Sequence, residues 1–112
     1  MSRDWRLYWA DILESCRKII RYTSGLDQVN FQKEEMVYDA ILRNIALIGE
    51  AAGRIPEGER AKALGIEWKR IIGARNIVVH AYHGLDGDII WDIVSKRIPQ
   101  LLAAMEAVKF DQ

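Results

Sequence analysis

Four polar side chains that suit phosphate chemistry lie within one short segment, residues 75–82, whose sequence is RNIVVHAY. His80 can exchange protons near neutral pH, because imidazole titrates there. The planar guanidinium of Arg75 suits paired phosphate oxygens, while Asn76 can orient the imidazole or donate to a phosphoryl oxygen. Tyr82 can donate a further hydrogen bond. This set suits metal-free RNA cleavage: a base takes the 2′-hydroxyl proton, the oxygen attacks the adjacent phosphorus, and a cation stabilises the pentavalent state.

This reaction also needs a general acid for the leaving oxygen. One chain offers His80 and, as a second candidate, His83. A two-fold dimer that pairs this segment with its copy would bring two His80 imidazoles to one cleft, and two-fold dimers are the commonest assemblies. Two alternatives stay open from the spacing alone: a structural histidine, and a zinc site at His80 and His83. Zinc is the weaker alternative, because no thiolate neighbours them and three or more protein ligands are usual.

The segment belongs to a longer apolar run, residues 66–83, which is predicted to be helical. On an ideal helix at about 100° per residue, apolar residues cover two sides: Trp68, Ile71, Ile72 and Val79 on one, and Ala74, Ile77, Val78 and Ala81 on the other. A helix that is apolar on both sides is normally packed between neighbours. We therefore expect the bundle core to cover one side and a subunit partner to cover the other.

A polar seam lies between these two sides and contains Lys69, Gly73, Asn76, His80 and His83. If both sides are covered, the seam is buried, and buried polar groups are costly unless they are paired. Arg75 falls off the seam on an ideal helix and reaches it only through its long stem. Glu50 lies in apolar sequence surroundings and has two interpretations: a surface residue, or a buried partner for Arg75 or Arg54.

The rest of the chain must supply the helices that position this segment. Helical spacing predicts a first helix over about 4–23, capped by Ser2 or Asp4, and a second over about 32–53. A short helix over 57–64 follows, and a third helix runs from about 67 to the glycines at 84 and 87. A fourth helix, capped by Asp86 or Asp88, runs to about 109. Phe31 is a loop anchor, Gly25 ends the first helix, and Pro99 should bend the fourth. The prediction is an all-α fold: one domain over 1–112, an antiparallel four-helix bundle with a short extra helix.

Composition excludes several classes of protein. The net charge is zero, so the overall field does not drive the chain to nucleic acid, although residues 54–83 offer a local basic patch. Cys16 is the only cysteine, which excludes an internal disulfide. The absence of a signal peptide and of a membrane-spanning apolar run favours a cytoplasmic protein with no membrane partner. The four tryptophans fall on apolar stripes and are expected to pack in the core rather than stack bases.

The motif RNIVVHAY resembles the Arg-x4-His-x-Tyr motif of the HepT toxins, in the HEPN superfamily of small helical ribonucleases. The blocks LRNIALIGEAAGRIP at 42–56, WKRIIGARNIVVHAYHGLD at 68–86 and IIWDIVSKRIPQL at 89–101 extend the resemblance over nearly the whole chain. It implies a homodimer with a HEPN-like fold and metal-independent ribonuclease activity, without a cofactor. It also implies that Arg75 and His80 are catalytic and that Asn76 is the polar residue after the arginine.

The resemblance further implies a partner, a minimal nucleotidyltransferase antitoxin of the MntA type. Such antitoxins transfer AMP from ATP to the tyrosine of the motif, here Tyr82, and the resulting O-AMP-tyrosine silences the toxin. Two other functions remain as alternatives. One is a non-catalytic nucleotide-binding or substrate-binding subunit of a two-component nucleotidyltransferase, and the other is a plain helical dimerisation module.

Overall fold

Regular structure is entirely helical throughout the part of the chain that the computed structural model describes, residues 3–84 and 87–110. The elements are α1 (Trp5–Thr23), α2 (Gln28–Lys33), α3 (Glu35–Arg54), α4 (Glu57–Lys62), α5 (Trp68–Ala81), α6 (Gly87–Asp92), a π-helical turn (Ile93–Arg97) and α7 (Ile98–Glu106). The prediction of an all-α fold is thereby confirmed. No helix within the described ranges has the length and apolarity needed to cross a membrane.

The first helix forms as its sequence predicts. Asp4 caps α1, since its side chain accepts a hydrogen bond from the backbone N–H of Arg6 at 2.9 Å. The other candidate cap, Ser2, lies outside the described residues. Side chains at helical spacing are buried along one face: Trp9, Ile12, Cys16 and Ile19. Gly25 follows the helix with a φ of +80°, a left-handed conformation that glycine adopts without strain.

The predicted second helix is two helices, with a break at Glu34. Asp27 begins α2 earlier than expected, because its carboxylate accepts a hydrogen bond from the backbone N–H of Asn30 at 2.8 Å. Phe31, predicted to anchor a loop, is fully buried but lies within α2, where its ring packs against those of Tyr38 and Trp91. The long helix α3 therefore starts at residue 35 rather than at 32.

The central element is α3, which packs against both α1 and α5, while α7 packs against α1. The fully buried side chains at its centre include Ile41, Leu42, Ile45 and Ala52. A hydrogen bond from the Trp68 indole to the Arg60 carbonyl, at 2.9 Å, ties the start of α5 to α4. Because α3 contacts both long neighbours, its sequence sets how closely α5 can approach the core.

The predicted fourth helix is interrupted by a wide turn just before Pro99. The backbone N–H of Ile98 donates to the carbonyl of Ile93, five residues earlier, which defines the π-helical turn. Pro99 has no N–H to continue an α-helical pattern, and its ring would collide with the carbonyl of Ser95 in a regular helix. The wide turn relieves that collision and gives a specific form to the predicted bend. The helix also ends at 106 rather than near 109. Asp88 lies in the first turn of α6, while the other predicted cap, Asp86, is outside the described residues.

Candidate functional site

An open groove of about 510 Å³ runs between α3 and α5. Its walls are formed by Gly49, Glu50, Gly53, Arg54, Ile72, Arg75, Asn76 and Val79. Three of the residues singled out from the sequence, Arg75, Asn76 and Glu50, therefore face one space. His80 and Tyr82 do not line this groove; they lie farther along the chain, at the carboxyl end of α5.

Close approach of the two helices depends on Gly49. A Cβ atom at this position would lie 3.1 Å from the carbonyl oxygen of Ile71 and 3.2 Å from Cγ of Arg75. Both distances are shorter than ordinary van der Waals contact, so a larger residue would push α5 away. Gly49 thus fixes where the stem of Arg75 leaves α5. This role was not predicted, although two glycines four residues apart on one helix, Gly49 and Gly53, are a sequence signal for it.

The polar seam is exposed in a single chain, and its burial by a subunit partner stays a prediction. All five seam residues (Lys69, Gly73, Asn76, His80 and His83) are exposed, and so are Arg75 and Tyr82. One chain nevertheless covers most of the apolar surface of α5 by itself. Val78 and Ala81 are buried, and five further apolar residues (Trp68, Ile71, Ile72, Ala74 and Ile77) are half-buried against the core. Val79 alone of the eight is exposed, at 57%.

The polar groups of the motif have no partners within the described ranges 3–84 and 87–110. There, the side chains of Arg75, Asn76, His80 and Tyr82 make no hydrogen bond or ion pair. The cost of burying them, which the sequence suggested, therefore does not arise in a single chain. Their donors and acceptors are instead available to a ligand or to another molecule.

Glu50 is a surface residue, as one of its two interpretations held. Its carboxylate forms an ion pair with Arg54, one turn later on α3, at 3.4 Å. The side chains of Glu50 and Arg54 are 48% and 59% exposed, so this is not a buried partner. Glu50 shares the groove with Arg75, but it makes no ion pair with it.

Tyr82 lies in the turn that follows α5. Its backbone N–H donates to the carbonyl of Val78 at 3.0 Å, which closes the helix, and 60% of the residue is exposed. Gly84, two residues later, has a φ of +77° and turns the chain away. The phenol is therefore accessible to a large molecule.

The described residues contain no cluster of metal-ligating side chains, and their one cysteine, Cys16, is buried. No three His, Cys, Asp or Glu side chains within them converge as a metal site requires, and this includes His80 and His83. Cys16 is fully buried among apolar side chains, as expected of a core residue. Burial raises the pKa of its thiol to about 12, and nearby Arg17 offsets this only in part.

The tryptophans outside the motif pack as core residues, and three basic residues outside it form ion pairs. Trp9 is buried, and the other three tryptophans pack against the core, as expected. In the basic patch, Lys62 pairs with Glu59 and Arg70 with Glu67, and Arg54 with Glu50. This is the pattern of a mixed-charge surface.

Comparison with known proteins decides the family. A model of the "Ribonuclease HepT-like" family matches residues 12–108, which is most of the chain. The chain belongs to the HepT-like ribonuclease family. The resemblance drawn from RNIVVHAY and its flanking blocks is thereby confirmed.

Archaeal and bacterial relatives cover nearly the same length. A Methanocaldococcus jannaschii protein named "Putative RNase MJ1380" is 35% identical over 107 residues, 96% of this chain and 98% of its own. A Caldanaerobacter subterraneus protein named "Putative RNase TTE0752" is 34% identical over 96 residues, 86% of each chain. The "Probable ribonuclease HepT" of Thermococcus cleftensis is 28% identical over 109 residues, 97% of this HepT-like chain and 99% of its own. The search of solved structures found no significant match.

Proposed function

We propose that this HepT-like chain is the toxin of a toxin–antitoxin pair and cleaves RNA without a metal ion. The proposal rests on the exposure of the motif side chains and on their lack of partners among the described residues. Arg75 and Asn76 line an open groove, His80 follows on the same helix, and none of the three has a partner among the described residues. The chain belongs to a ribonuclease family, and its exposed Arg75, Asn76 and His80 side chains can donate hydrogen bonds to a phosphate.

Each side chain has a role that its chemistry supports. His80 takes the proton of the 2′-hydroxyl, whose oxygen attacks the adjacent phosphorus while the 5′-oxygen of the next nucleotide leaves. Arg75 stabilises the charge on the pentavalent phosphorus through its paired N–H groups. Asn76 and Tyr82 donate to phosphoryl oxygens, and Glu50 lines the groove from α3, where its carboxylate pairs with Arg54. The products are a 2′,3′-cyclic phosphate and a 5′-hydroxyl.

The leaving oxygen must be protonated, and a second copy of His80 is the proposed acid. This requires a homodimer in which the α5 helices face one cleft, within a HEPN-like bundle of four antiparallel helices that forms one domain. Support comes from the exposed face of α5, where apolar Val79 stands beside Asn76 and His80. The apolar surface is smaller than the sequence suggested, so the need for a second acid is the main argument for the dimer.

Silencing by an MntA-like nucleotidyltransferase antitoxin is the proposed control. The hydroxyl oxygen of Tyr82 attacks the α-phosphorus of ATP, the phenol proton is lost and pyrophosphate leaves, which gives O-AMP-tyrosine. The exposed position of Tyr82 after α5 supports access by a partner enzyme. A bulky nucleotide with negative charge, two residues from His80, would fill the cleft and repel RNA phosphate.

The test is cleavage of a labelled single-stranded RNA by the purified protein in the presence of a chelator. We expect fragments that end in a 2′,3′-cyclic phosphate, and no cleavage where the 2′-hydroxyl is replaced by hydrogen. Light scattering on the same sample should give twice the chain mass of 12.9 kDa. Intact RNA would overturn the nuclease proposal, and cleavage that needs added magnesium would overturn its metal independence. If the RNA stays intact, a non-catalytic nucleotide-binding subunit is the better account.

A further inference from the structure

A second arginine, Arg54 at the end of α3, lines the same groove as Arg75 and Asn76. It also lines a second groove, of about 400 Å³, between α1 and α3. Arg54 and its neighbour Glu50 therefore form the ridge that separates the two grooves. A nucleic acid strand that leaves the α3–α5 groove toward α1 has to pass Arg54.

The only ion pair of Arg54 among the described residues is weak. Nη2 of Arg54 lies 3.4 Å from Oε1 of Glu50, which is long for a charge-assisted hydrogen bond, and both side chains are about half exposed. Exposed pairs of this kind one helical turn apart add little to stability. A phosphate offers two oxygens to the planar guanidinium and can replace the carboxylate.

The shape of the groove leaves room for such a phosphate. Gly49 and Gly53 have no side chains and form part of its wall beneath the two arginines. With Arg54, Arg75 and Glu50 as its charged residues, the groove carries one net positive charge. Removal of the Glu50 charge would double that value without changing the shape.

Among the described residues, no other cation that lines either groove shares a space with Arg75. Arg3 donates to Asp11 at 2.6 Å, and this hydrogen bond raises the pKa of Arg3. Lys18 pairs with Glu14 at 3.6 Å and lines only the α1–α3 groove. Arg43 is exposed on α3 and lies outside both grooves. Arg54 is thus the arginine that shares a space with Arg75, and Arg43 is its matched control.

We propose that Arg54 binds an RNA phosphate next to the one that is cleaved, and that Glu50 competes with RNA for Arg54. This inference rests on the proposed ribonuclease function and adds a substrate-binding residue to it. Arg54 acts on the affinity for RNA rather than on proton transfer, because the acid and base of the reaction are histidines. Glu50 lowers the affinity by neutralising Arg54 in the free protein.

The experiment measures binding of a fluorescein-labelled single-stranded RNA by anisotropy, in the full chain carrying His80→Ala so that the RNA stays intact. We expect Arg54→Ala to weaken binding about tenfold and to reduce the slope of log K against log salt by about 0.7, the value for one lost phosphate contact on a single strand. Arg43→Ala should change neither quantity. Glu50→Gln should tighten binding only while Arg54 is present, so the double variant should bind like Arg54→Ala alone.

A kinetic measurement separates this inference from the proposed function. In the chain with His80 intact, Arg54→Ala should raise KM and leave kcat within about twofold. If the unsubstituted chain cleaves RNA and Arg54→Ala matches Arg43→Ala in KM, affinity and salt slope, the inference about Arg54 is wrong while the function stands. If binding depends on Arg54 but no RNA is cleaved, the nuclease proposal fails and the binding site stands. Absence of both binding and cleavage by the unsubstituted chain overturns both.

Discussion

Replacing Gly49 by alanine tests how α3 positions Arg75. The new methyl group would lie 3.1 Å from the Ile71 carbonyl oxygen and 3.4 Å from that of Ile72, as well as 3.2 Å from Cγ of Arg75. Two of these atoms belong to the backbone of α5, so the helix itself has to move by a few tenths of an ångström. Overpacking of this kind destabilises a protein by about 1–3 kcal/mol.

Gly53→Ala is the matched control, because it adds the same methyl group to the same helix one turn later. Its nearest neighbour would be Cγ2 of Ile72 at 3.9 Å, an ordinary contact. Alanine gains about 1 kcal/mol over glycine within a helix, and both positions lie within α3. The difference between them therefore isolates the packing cost at Gly49, about 1–3 kcal/mol.

The assay is urea unfolding of both variants, followed by circular dichroism. RNA cleavage is measured without urea, at a temperature where both variants are folded. We expect Gly49→Ala to be less stable than Gly53→Ala and to lose more activity than its folded fraction explains, since the stem of Arg75 moves with α5. Equal stability of the two variants would refute the close approach of α3 and α5 at Gly49.

Three further predictions concern single side chains. Burial raises the pKa of the Cys16 thiol from 9.0 to about 12, so the thiol of the unfolded chain ionises at a lower pH than that of the folded chain. The free energy of unfolding should therefore be constant below pH 9 and fall above it, relative to that of Cys16→Ala. Urea titrations at pH 8, 9 and 10 measure this difference. Trp68→Phe removes the 2.9 Å hydrogen bond to the Arg60 carbonyl and should lower the free energy of unfolding by about 1 kcal/mol; an unchanged value would contradict that contact. Tyr82→Phe should fold normally but gain no AMP mass when incubated with the nucleotidyltransferase and ATP, as read by intact-mass spectrometry; equal AMP addition would show that another residue is the acceptor.

Helical periodicity was sufficient to predict the all-α class and the course of α1 closely. Its apolar side chains recur at helical spacing, and Asp4 and Gly25 mark its ends by side-chain chemistry that acts locally. The break at Glu34 and the π-helical turn before Pro99 were not predicted. Both depend on competition between neighbouring local preferences, the Asp27 cap in one case and the missing N–H of Pro99 in the other. Periodicity alone does not decide such competition.

The candidate site shows a different limit. The residue types of the motif could be read directly, but their exposure could not. A pattern shows that both sides of α5 are apolar, yet it does not show how much of that surface α3 and the rest of the core already cover. Likewise, the contact that Gly49 permits and the groove shared by Arg54 and Arg75 depend on the distance between two helices. Gly49 and Gly53 permit a short distance, but which helix packs against them is a property of the fold and is not given by the α3 sequence alone.

The central claim is that Arg75 and His80 of this HepT-like chain carry out RNA cleavage, with a second copy of His80 as the acid. The most direct measurement is the single-turnover cleavage rate of His80→Ala and Arg75→Ala in a chelator, with His83→Ala as the control and circular dichroism and light scattering to establish folding and mass. Loss of a general acid–base residue should slow cleavage by about 10²–10⁴-fold, while His83→Ala should cleave at the wild-type rate. Wild-type rates for folded His80→Ala and Arg75→Ala would contradict the account, and a loss confined to His83→Ala would place the chemistry elsewhere.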